Sequence, residues 1–269
     1  MSEISTEVQE VPQTVGYGAE LRGGKKHVIW PVVHAARLVV HPNTYFEEGA
    51  EAEILEHRDA GGSMLMLMTH FRRWEPVVIA QLADKHRTLQ HIRYTTGITA
   101  RDELFEAPVL GYIIRNSGAQ RVKRTIEHPN ETSEQKAARK ESNQRTQAIG
   151  GYFLANGLNW LIFPEGGSKK IVEEDGRSIR VPRDPGRLLP LQRGFVYSLE
   201  SMSKEDRERV KLLGITVHYG EGRLSSLRPT VHITRPEDPI EGTSEIRLYQ
   251  GEKLLRRSLE QAIRLHKQR

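Results

Sequence analysis

The sequence predicts an α/β protein, a single-domain sandwich with a mostly parallel central sheet flanked by helices. Three observations carry this expectation. Short apolar runs recur at Met64–Met68, Val109–Ile114, Leu158–Phe163, Lys211–Tyr219 and Pro229–Thr234, as strands buried on both faces do. Helical stretches separate them, and such alternation builds helices onto the faces of a parallel sheet. The 269 residues supply enough chain for a sizeable core.

Composition narrows the chemistry. Charged residues make up 28% of the chain and hydrophobic residues 37%, the balance of a fairly polar, soluble protein. The absence of cysteine excludes disulfides, thiolate zinc sites and a cysteine nucleophile, and is compatible with a reducing cytoplasm. The net charge of +5 favours acidic partners: phosphate esters, acidic carrier proteins, anionic lipid or nucleic acid.

Taken in order, residues 1–26 read as an irregular tail. Its start is polar and acidic, unlike the basic start of a signal peptide. Residues 27–60 read as an amphipathic or apolar helical segment. The apolar part, His27 to Val40, is too short for the roughly 20 residues that span a membrane. Lys25, Lys26 and Trp30 suit a helix lying in a membrane interface, and packing on the protein's own core is the alternative. Residues 61–240 form the main domain, and 241–269 an amphipathic helix with Leu248, Leu255, Leu259 and Ile263 on one face.

Within the main domain, Met64–Met68 runs into Thr69 and His70, and Glu75-Pro76 follows four residues later. Pro76 fits a first helical turn, with Glu75 as the expected N-cap. His70 therefore stands where a central strand ends and a helix begins, the edge at which open α/β sheets bind ligands. A histidine acting as a general base needs an acceptor on Nδ1 to hold its tautomer, and Glu75 is within reach across one turn. Thr132-x-x-Gln135 reads as a capping box for a helix running to Asn156-Gly157, with Gly150-Gly151 a candidate interruption.

Three further stretches place polar residues just past strand ends. Leu158–Phe163 meets Pro164, which cannot donate a ladder hydrogen bond, followed by Glu165, Gly166, Gly167, Ser168, Lys169 and Lys170. Gly166 and Gly167 permit close approach of a ligand to the backbone. Gly111–Ile114 leads to Arg115, whose planar fork suits a phosphate. From Gly111 to Arg193, 15 Lys and Arg stand against 9 Asp and Glu, so the chain's positive charge is concentrated there. Leu189-Pro190-Leu191-Gln192-Arg193-Gly194 leads into a further helix.

Together these stretches resemble the glycerolipid acyltransferase family. His70-x4-Glu75 is similar to its H-x4-D block, with an acid one methylene longer. Gly111-Tyr112-Ile113-Ile114-Arg115 is similar to its G-x-x-[IF]-[IV]-R block, shortened by one residue. Phe163-Pro164-Glu165-Gly166 matches the start of F-P-E-G-T-R-S, with Gly167-Ser168 in place of Thr-Arg. Leu189 to Gly194 is similar to its fourth block. The resemblance covers about residues 60–220. It implies an O-acyltransferase of phospholipid biosynthesis that moves an acyl group from acyl-CoA or acyl carrier protein to 1-acylglycerol 3-phosphate, giving phosphatidic acid. His70 would be the base and Glu75 its orienting acid. Arg115, Glu165, Gly166, Gly167, Ser168 and Lys169 would form the substrate site. No metal or redox cofactor is implied. The expected location is cytoplasmic and peripheral to the membrane, docked through 27–40, without a transmembrane helix. Two rivals are a hydrolase using the same dyad and a non-catalytic basic module binding membrane or nucleic acid. The 6% of aromatic residues disfavours nucleic acid as a partner.

Overall fold

β1 (Asn43–Phe46) and α1 (Ala50–Asp59) lead into β2 (Ser63–Met68), then α2 (Glu75–Lys85), α3 (Arg87–Gln90), β3 (Thr96–Arg101), α4 (Asp102–Phe105) and β4 (Ala119–Val122). The long helix α5 (Ser133–Ala155) returns the chain to β5 (Asn159–Ile162), after which β6 (Lys169–Glu174) and β7 (Arg177–Pro182) form a separate antiparallel pair. α6 (Gly194–Glu200), α7 (Lys204–Arg207), β8 (Val210–His218), β9 (Thr230–Ile233) and α8 (Ser244–Lys267) complete the order. This computed structural model describes residues 40–71, 75–91, 95–106, 119–123, 132–165, 169–174, 177–182, 184, 186–220 and 227–268.

Among the described residues, seven strands form one sheet in the order β1-β9-β8-β2-β5-β3-β4. β8, β2, β5, β3 and β4 are mutually parallel; β9 is antiparallel to β8, and β1 is parallel to β9. The α/β sandwich with a mostly parallel sheet is thus present. Segment 27–60, set apart as helical in the sequence reading, contributes β1 and α1 to the same body from residue 43 onward. The expected strand at Val109–Ile114 and residues 1–39 lie outside the described residues.

Alternation along the central strands divides the core between two faces. Met64, Met66 and Met68 of β2 pack with Leu213 and Ile215 of β8 and with Ile54, Val78 and Leu82 of α1 and α2. Leu65 and Leu67 pack on the other face with Trp160, Phe153, Phe195 and Leu255. Each such apolar side chain contributes about 1.5–3 kcal/mol by leaving water. Burial on both sides explains why β2 reads as an unbroken apolar run. Asn159 knits the strand starts: its Oδ1 accepts from the Met64 N–H at 2.9 Å, and its Nδ2 donates to Thr95 Oγ1 at 2.9 Å.

α5 opens with the expected box. Thr132 Oγ1 accepts from the Gln135 N–H at 3.2 Å, and Gln135 Oε1 accepts from the Thr132 N–H at 2.9 Å. The helix runs through Gly150-Gly151 without a break and stops before Gly157, at φ 71°. The paired glycines serve close packing instead. A Cβ on Gly150 would sit 2.6 Å from Trp160 Nε1, and one on Gly151 would sit 2.7 Å from the Ser198 carbonyl oxygen. Gly150→Ala should therefore lose stability by about 1–3 kcal/mol through overpacking, although alanine is the better helix former. A lower urea midpoint with an unchanged slope checks this. α8 packs Leu255 and Leu259 into the core, with Leu248 and Ile263 partly buried beside them. Among the described residues, no helix is long and apolar enough to cross a membrane.

Candidate active site

The parallel strands deliver their C-terminal ends to one edge, and the candidate site is built there. β2 leaves the ladder at Thr69. The Thr69 N–H still donates to the Ile215 carbonyl at 3.1 Å, and Thr69 Oγ1 accepts from the Val217 N–H at 3.2 Å. The side chain thus supplies an acceptor where the backbone turns away, and His70 is the next residue.

α2 begins at Glu75 itself, which is thus its first helical residue and not the expected N-cap. A carboxylate in the first turn is favoured by the helix dipole, and Pro76 is tolerated there because first-turn N–H groups lack intrahelical partners. Glu75 Oε2 lies 3.1 Å from His70 Nδ1. The Glu75 side chain is fully buried at 0% exposure, whereas His70 retains 16%. A carboxylate oxygen can only accept, so Nδ1 is the nitrogen that donates in this pair. The Phe163 ring packs on the imidazole at 4.8 Å between centroids. The longer glutamate side chain makes the contact expected of a shorter aspartate. Chemically, the arrangement is a tautomer-fixed imidazole able to take a proton from a hydroxyl.

Glu165 lies just past β5 and is buried. Its Oε2 accepts from the His70 N–H at 3.1 Å, and its Oε1 accepts from the Leu189 N–H at 2.8 Å. The Gln192 N–H donates to the Pro164 carbonyl at 2.6 Å. The fourth sequence block is therefore tied to the third through backbone groups, and the third to His70. Phe163, Thr69 and the Leu189 amide were not singled out by sequence reasoning as parts of the site. The last two act through local geometry that carries no residue pattern, while the ring next to Pro164 was legible only as part of the block.

Of the other expected residues, Arg115, Gly166, Gly167 and Ser168 lie outside the described residues. Lys169 opens β6, where its backbone pairs with Pro182; its side chain is outside what is described. Lys169 and Lys170 thus belong to a strand and not to a turn.

The model for the acyltransferase family matches residues 49–217, well over half of the chain. The chain belongs to the acyltransferase family. The matched span of this acyltransferase runs from α1 into β8 and contains His70, Glu75 and Glu165. A search of the curated proteins finds no match.

Proposed function

We propose that this acyltransferase moves a fatty acyl group from acyl-CoA or acyl carrier protein to the free hydroxyl of 1-acylglycerol 3-phosphate, giving phosphatidic acid. The observation that carries the reading is the buried Glu75 carboxylate 3.1 Å from Nδ1 of His70, at the C-terminal edge of the sheet. His70 Nε2 accepts the proton of the acceptor hydroxyl as its oxygen attacks the thioester carbonyl. Collapse of the tetrahedral intermediate breaks the C–S bond, and the departing sulfur takes the proton from His70. Glu75 stabilises the imidazolium in between.

Arg115, assisted by Lys169, holds the acceptor phosphate, and Gly166, Gly167 and Ser168 line the acceptor site. The concentration of basic residues between Gly111 and Arg193 supports a phosphorylated acceptor. No metal or redox cofactor enters this scheme. Segment 27–40 docks the protein on the membrane that holds the lipid acceptor. The test is an acceptor panel with one long-chain acyl-CoA: 1-acylglycerol 3-phosphate, glycerol 3-phosphate and unphosphorylated monoacylglycerol, with products identified by mass. Phosphatidic acid as the dominant product is expected. Preference for monoacylglycerol would overturn the phosphate assignment.

A further inference from the structure

We propose that Glu165 is a positioning residue for the catalytic base, joining His70 to the 189–192 loop, and that it does not bind the acceptor. The inference deepens the acyl-transfer reading and rests on it for its kinetic consequences. Along β2, successive N–H groups point to opposite sides of the strand. The Thr69 N–H takes the β8 side, at the Ile215 carbonyl. The His70 N–H takes the β5 side, but β5 ends at Ile162 and Pro164 turns the chain. The Glu165 carboxylate supplies the missing ladder acceptor at 3.1 Å. Its second oxygen holds the Leu189 N–H at 2.8 Å. Charge-assisted bonds of this kind are roughly twice as strong as neutral ones, and only 5% of Glu165 is exposed. One buried carboxylate therefore sets the backbone of the base and the loop of the fourth block relative to each other. A glutamine offers one acceptor oxygen and an amide donor, which would face one of the two N–H groups donor to donor. An aspartate is one methylene short of spanning them.

The test uses the full chain, with Glu165→Gln and Glu165→Asp compared with wild type. Kinetics are measured with long-chain acyl-CoA and 1-acylglycerol 3-phosphate, and 15N spectra are recorded on histidine-labelled protein, with His70 assigned by its loss in His70→Gln. The expected result is a kcat lower by about 10- to 100-fold, the scale set by small misplacements of a catalytic group. The acceptor KM should change by less than about twofold, and the His70 amide and ring signals should shift. A merely structural role would lower the folded fraction but leave those signals in place. Unshifted His70 signals in both variants would overturn the proposal. A tenfold rise in acceptor KM with kcat retained would overturn it as well. If the wild type is inert toward 1-acylglycerol 3-phosphate, the substrate reading fails, and the spectra alone decide the role of Glu165. Should Glu165→Gln not fold, Glu165→Asp supplies both readouts.

Discussion

His70→Ala abolishes acyl transfer, with an expected loss of about 10²–10⁴-fold in kcat, and leaves the sheet assembled. The two halves of this expectation rest on different atoms. In the proposed mechanism the imidazole carries the chemistry: Nδ1 is held by Glu75 at 3.1 Å, and Nε2 takes the hydroxyl proton. The backbone of His70 carries the structure, because its N–H bonds to Glu165 and survives the substitution. Removing the ring leaves the buried Glu75 without its imidazole partner, at a cost of roughly 1–3 kcal/mol. A domain of this size tolerates that loss at 25 °C. Circular dichroism and the urea midpoint report the fold, and thiol release in the presence of acceptor reports the chemistry. Turnover at the wild-type rate would remove His70 from the mechanism.

Glu75→Gln should be comparably damaging, by about 10³–10⁴-fold, with little change in packing volume. The carboxylate can only accept, and so imposes the Nδ1–H tautomer. The glutamine amide can instead donate to Nδ1, which moves the ring proton to Nε2, where it blocks proton uptake from the acceptor. The same loss of charge removes the stabilisation of the imidazolium formed as the acyl group transfers. The 15N shifts of the His70 ring distinguish the two tautomers directly. A variant that keeps Nδ1–H and loses activity would show that charge, and not tautomer, is the larger contribution. One that keeps full activity would remove Glu75 from the site.

How far the sequence disclosed the molecule depended on burial. β2, β5, β8 and β9 are buried along their described lengths or nearly so, and their apolar runs were read as strands. β1 and β4 lie at the sheet edges, and their residues, Asn-Thr-Tyr-Phe and Ala-Gln-Arg-Val, carry no continuous apolar run. β3 is hidden for another reason: its Gly97 makes room for the Trp160 ring, so a neighbouring strand's side chain fills the space that a hydrophobic residue of β3 would take. The β6–β7 pair had a legible signal that was missed. The register pairs Glu174 with Arg177, and the sequence between them reads Asp175-Gly176, a dipeptide that marks tight hairpins.

The candidate site divides in the same way. His70 and Glu75 were readable because they stand five positions apart where a strand ends and a helix begins, and the structure brings them together. Glu165 was placed in the substrate site by the family resemblance, and no residue pattern marked it as buried. Its burial follows from the convergence of three chain segments, which the sequence does not display.

The central claim is acyl transfer to a phosphorylated glycerolipid by the His70–Glu75 pair. Thiol release from long-chain acyl-CoA tests it most directly, measured with and without 1-acylglycerol 3-phosphate for wild type and His70→Ala. The account predicts acceptor-dependent release by wild type alone, matched by phosphatidic acid. Equal release without acceptor, or release that survives in His70→Ala, would contradict it.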